Sequence, residues 1–119
     1  MDDMKLELLP AVGGRLIVDG VFIGTVESAD GILILKTWGP SWRWLGLDTF
    51  RSQARCEPVK ALECAGAALM VAGEETASAA ELLKRDRTAY GDAIRVHLAK
   101  ADALLAASKV WQRLSGMDG

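Results

Sequence analysis

The chain has 119 residues, 50% of them hydrophobic and 25% charged, with a formal net charge of −2. That length matches one domain of roughly 100–150 residues and leaves little room for a second. The near balance of 14 basic and 16 acidic residues excludes a polybasic nucleic-acid arm, and the apolar half excludes a disordered tail or low-complexity linker.

The opening Met1-Asp2-Asp3-Met4-Lys5 is acidic and lacks the basic-then-apolar order of a secretory leader. The longest apolar or small run, residues 64–73, is far short of the ~20 residues that span a bilayer, so it reads as a buried helix with no membrane role. Cys56 and Cys64 have neither CxxC nor zinc-ligand spacing, and a single histidine leaves a Cys/His zinc site short of ligands. The expectation is two free thiols in a reducing, cytoplasmic setting, with no metal and no cofactor.

Composition shifts near residue 56: β-branched residues and glycines come before it, and 15 of the 18 alanines come after. The order strands-then-helices predicts an α+β fold in one domain over residues 1–119. Residues 1–56 carry strands and a tryptophan-rich segment, and residues 57–116 carry two to three helices packing on the sheet.

Met4-Lys5-Leu6-Glu7-Leu8 alternates with the period of a half-exposed strand. Arg15-Leu16-Ile17-Val18 and Val21-Phe22-Ile23 flank Asp19-Gly20, the strongest short hairpin signal, because a type I′ turn needs positive φ at both central residues. Asp30-Gly31 separates Thr25-Val26-Glu27 from Ile32-Leu33-Ile34-Leu35-Lys36 in the same way. This is an antiparallel meander of three strands, four if the first joins at an edge. The strands are apolar toward both faces, so helices are expected on one side and the tryptophan segment or a second copy on the other.

Glu57-Pro58 starts a helix in which Val59, Leu62, Gly66, Leu69 and Met70 form one stripe. Gly73 is expected to end it, with Ser78-x-x-Glu81 as a capping box for a short helix before Asp86 and Glu74-Glu75 at that helix's N-terminus. A long helix follows Thr88, with Ile94, His97, Ala101, Leu104 and Trp111 on one stripe.

Motifs for chemistry are sparse. Neither GxxxxGK[ST] nor GxGxxG occurs, and the glycines between strands belong to turns. His97 is the one histidine available as a general base. It is either a partly buried helix residue bonded to a neighbour or part of a site that needs a carboxylate and a thiol beside it.

Residues 36–55 stand apart. They hold Trp38, Trp42 and Trp44, three of the four tryptophans, and the bases Lys36, Arg43, Arg51 and Arg55 against the single acid Asp48. Residues 57–81 have the opposite sign, with five glutamates against Lys60. Three roles compete for Trp42 and Trp44: one buried face of a short strand with Arg43 outward, an exposed anchor for a protein partner, or stacking platforms for unpaired bases. A second basic cluster, Lys84, Arg85, Arg87, Arg95 and Lys100, lies along the later helices.

The first expectation is a non-enzymatic interaction module. It is a homodimer that binds a larger protein or ribonucleoprotein through Trp38, Trp42, Arg43, Trp44, Arg51 and Arg55. Phage and mobile-element inhibitors, anti-CRISPR proteins among them, are often small domains of this kind, an analogy of size alone. The alternatives are a nucleic-acid accessory protein that binds single strands weakly on the same rings, and a small enzyme using His97.

Overall fold

In the computed structural model, which describes residues 4–117, a five-stranded antiparallel sheet precedes three helices. Met1, Asp2 and Asp3, and with them the acidic start, lie outside the described residues. The strands β1 (Leu6–Glu7), β2 (Arg15–Val18), β3 (Val21–Ala29), β4 (Ile32–Lys36) and β5 (Trp42–Arg43) pair in that order. The helices are α1 (Leu47–Cys56), α2 (Pro58–Arg85) and α3 (Gly91–Ser115). The α+β class is as the composition predicts, with one strand more than the upper expectation.

Both Asp-Gly turns have the required backbone: φ is 50° at Asp19 and 80° at Gly20, 52° at Asp30 and 78° at Gly31. The Asp19 carboxylate also accepts the Lys5 backbone N–H at 2.9 Å and lies 3.2 Å from the Arg113 guanidinium. That one turn residue thus ties the edge strand and the end of α3 to the β2–β3 hairpin. A bulge at Leu16/Ile17 leaves Ile17 opposite Phe22 but Leu16 opposite Gly24, with the extra residue, Ile23, fully buried.

The inner face of the sheet presents Leu16, Val18, Ile23, Val26, Leu35 and Trp42, all buried, to Phe50 and Ala54 of α1, Ala61, Cys64 and Ala65 of α2, and Val110, Trp111 and Leu114 of α3. Alanines on α2 let the layers approach, and the tryptophans fill the volume the alanines leave. The outer face is less covered. Ile17, Phe22 and Ile34 are half-buried there, and the Arg15 guanidinium lies 4.5 Å over the Phe22 ring.

Three sequence expectations are corrected. Gly73 does not end a helix: α2 runs unbroken to Arg85, so Ser78 and Glu81 sit inside it, and Glu75 reaches across to α3 instead of capping. Residues 47–56 form α1, on which Leu47, Phe50 and Ala54 face the core. The stripe Val59, Leu62, Gly66, Leu69 and Met70 points away from the core, because the smaller Ala61, Cys64, Ala65, Ala68 and Ala72 take the inward side.

The α2/α3 pair outruns the sheet. A second buried cluster, Ala68, Ala72, Ala101 and Leu104, closes against Trp38 and Val71. Beyond it the helices continue as a hairpin in which Ala79 is the one buried side chain of residues 76–99. Asp86 turns the chain there by accepting the backbone N–H groups of Thr88 and Ala89 at 2.9 and 3.1 Å.

Candidate interaction surface

The loop after β4 positions the one partly accessible tryptophan of the 36–55 segment. Thr37 Oγ1 donates to the Pro40 carbonyl at 2.9 Å and accepts the Gly39 N–H at 2.9 Å, closing a side-chain-stabilised turn. Gly39 lies against α2 so closely that a Cβ there would stand 3.1 Å from the Ala67 Cβ and 3.2 Å from the Cys64 Cα. The Cys64 Sγ lies 3.4 Å from Thr37 Oγ1 and donates to the Pro40 carbonyl at 3.5 Å. Burial pushes the Cys64 thiol up from its ordinary 9.0, with the hydrogen bond to Thr37 partly opposing, so the thiol keeps its proton and its donor role.

Held by this turn, the Trp38 ring leaves the loop between sheet and helices. It meets Phe22 edge-to-face, with ring centroids 5.8 Å apart and planes at 89°. Three adjoining depressions share the ring as a wall. One, of about 300 Å³, runs along Phe22, Thr25, Glu27 and Lys36. A second, of about 330 Å³, lies toward Gly20, Val21, Ala103 and Leu104. The third, of about 230 Å³, is bounded by Val71, Glu75 and Lys100. Their floors are mostly apolar. Both rim carboxylates are engaged, Glu27 by Lys36 at 3.6 Å and Glu75 by His97 at 2.5 Å.

The other tryptophans of the segment are structural. Trp42, 1% exposed, stacks on Trp111, and Trp44, 9% exposed, packs on Phe50. This placement removes both rings from any surface a partner or a base could touch, and the buried-strand reading of residues 42–44 describes them. Arg43 does point outward, opposite Ile34 on the outer face. Arg51 Nη2 donates to the Met4 carbonyl at 2.5 Å and so holds the N-terminal segment to α1. Arg55 is exposed on α1, its Cγ 3.9 Å from where a Cβ on Gly116 would be. Of the six residues expected to meet a partner, Arg43 lies on the outer face of the sheet opposite Ile34, and Trp38 borders that face through the depression it shares with Phe22, Thr25 and Lys36.

The second basic cluster divides as well. Lys84, Arg85, Arg87 and Arg95 lie at the hairpin tip, where Arg85 meets Glu81 at 3.9 Å and Arg95 pairs with Asp92. Lys100 alone lines a depression with Trp38. His97 is bonded through Nδ1 to Glu75, the partly buried pairing between helices that its stripe position allows. The Cys64 thiol is committed elsewhere, to Thr37 and Pro40, so His97 and that thiol do not meet. Among the described residues, no group of three or more His, Cys, Asp and Glu side chains could hold a metal ion. Nor is any helix among them long and apolar enough to cross a membrane.

Phe22 and Leu104 complete the surface, and the sequence shows them only as apolar positions. The available signal for Phe22 is an aromatic on a strand apolar to both faces, which marks a side chain needing cover. No protein-family model, curated protein or solved structure matches this chain.

Proposed function

We propose that the chain is a non-enzymatic interaction module that binds a larger protein through the face built from Trp38, Phe22 and Arg43. The observation that carries this reading is Trp38: a half-buried indole, fixed by a pinned turn, with an apolar depression on each of its open sides. A ring held in place before binding loses little conformational freedom on association. Tryptophan and arginine also dominate interface hot spots, where one residue can be worth about 2 kcal/mol or more. As an inhibitor of the phage or mobile-element type, such a module would act by covering a functional surface of its protein or ribonucleoprotein target.

Base stacking is less favoured than protein binding. It needs several open rings in series along a cationic track, whereas Trp42 and Trp44 are sealed in the core. The test is affinity capture from the source cells with identification of the bound protein by mass spectrometry. Trp38→Ala and Arg43→Ala, each shown by circular dichroism to be folded, are expected to lose the same identified partner. Retention of that partner by both variants would overturn the proposal.

A further inference from the structure

The outward face of α2 has a pattern that contacts within one copy do not explain. From Val59 to Leu83 its residues recur at alternating steps of three and four, and every position in the series is exposed. The series extends for roughly 36 Å at 1.5 Å per residue. It amounts to three and a half heptads, near the 3–4 heptads at which such patterning argues for a coiled coil. Between Glu63 and Glu74 the helix carries no charge at all.

Two members of the series are Gly66 and Gly73. Glycine is among the costliest residues in a helix interior, yet a Cβ on either would meet nothing within 4 Å. Neither glycine is required by a neighbour in its own protomer. Large side chains stand beside them on the same face, with Val59 71% and Leu69 44% exposed.

We infer that two copies of this chain pair through α2 in antiparallel orientation, as a two-fold interface. One register sets every member of the series against another member. Val59 faces Leu83, Leu62 faces Ala80, Gly66 faces Thr76, and Leu69 faces Gly73. In the two leucine pairs at the second and fourth steps, a large side chain meets a small one, so each leucine enters the space its partner's alanine or glycine leaves. A two-fold interface must be self-complementary in this way. The flank beside the series contributes Glu63, Met70, Ala77 and Lys84, all exposed. Antiparallel pairing runs this flank beside its own copy and places Glu63 of one protomer and Lys84 of the other at the same end of the seam, opposite charges about five positions apart in that register. The depressions around Trp38 take only Val71 and Glu75 from α2, neither of them a member of the series, so the proposal does not rest on the Trp38 reading.

The test uses the full chain. Sedimentation equilibrium from micromolar to submillimolar concentration is expected to show twice the 12.8 kDa chain mass at the upper end. Leu69→Glu and Gly73→Leu should each raise the dimer dissociation constant at least about tenfold. Gly73→Leu should also melt no lower than the parent when dilute, since leucine is the better helix former. In a Cys56→Ser background, Leu62→Cys with Ala80→Cys should form intermolecular disulfides, and Leu62→Cys alone should not. A monomer at all concentrations, a dimer indifferent to both seam substitutions, or crosslinking by Leu62→Cys alone would each overturn the proposal.

Discussion

Trp42 and Trp111 stack with ring planes 9° apart and centroids 5.9 Å from each other, joining the last strand of the sheet to the last turns of α3. Phe50 of α1 meets both rings edge-on, at 5.5 and 5.8 Å. The neighbouring elements β5 and α1 thus converge with the sequence-distant α3 on one aromatic cluster, and the Lys60 ammonium lies 4.5 Å over the Trp42 ring. Truncating either stacked ring to alanine is expected to cost about 3–5 kcal/mol, a large share of a small domain's stability. Trp38→Ala should cost nearer 1 kcal/mol, because that ring is only half-buried. Urea unfolding of the three variants measures the contrast; equal losses at positions 38 and 42 would contradict the division of the tryptophans into core and surface.

Gly39 and Gly73 make opposite predictions. A methyl group at position 39 presses on Ala67 and on the Cys64 backbone, so Gly39→Ala should destabilise by about 1–3 kcal/mol and displace the Trp38 loop. At position 73 the space is open, and Gly73→Ala should gain up to about 1 kcal/mol from helix propensity. Thermal melts at low protein concentration separate the two.

The thiols should differ sharply in reactivity. Cys56 is exposed and Cys64 is buried, so a maleimide at neutral pH should label Cys56 at once and Cys64 only on unfolding. The raised folded-state value of Cys64 also sets a sign. Its contribution to stability is complete below the ordinary 9.0 and declines as pH rises above it, because the unfolded thiol ionises first. Cys64→Ala should flatten that alkaline decline in a pH series of denaturant midpoints.

Asp19 serves turn, strand and helix together. Asp19→Asn keeps the tolerance for positive φ and an acceptor for the Lys5 N–H, and loses only the exposed pairing with Arg113, worth about 0–1 kcal/mol. Asp19→Ala loses all three and should cost about 1–2 kcal/mol more. Denaturant midpoints of the two variants read the difference.

The hairpins were legible in sequence because Asp-Gly between apolar runs leaves the chain few alternatives, and Pro58 marked the start of α2 for the same local reason. The continuity of α2 was not. Gly73 is a local signal for an end, but Glu75 bonding to His97 and Ala72 packing with Ala101 and Leu104 keep the helix going, and those partners lie far along the chain. The helix α1 had a readable spacing in Leu47, Phe50 and Ala54, masked by the neighbouring tryptophans. Among the candidate site residues, which tryptophan stays accessible depended on where Gly39 meets α2. No periodicity encodes that contact.

In the proposed interface the indole of position 38 meets the partner while those of 42 and 44 do not. Replacing each in turn with a photo-crosslinking phenylalanine analogue in the source cells, in variants that remain folded, tests it most directly. One covalent adduct to a single larger protein is expected from position 38 and none from position 44. Adducts from position 44 with none from position 38 would overturn the assignment of Trp38 to the partner-binding surface.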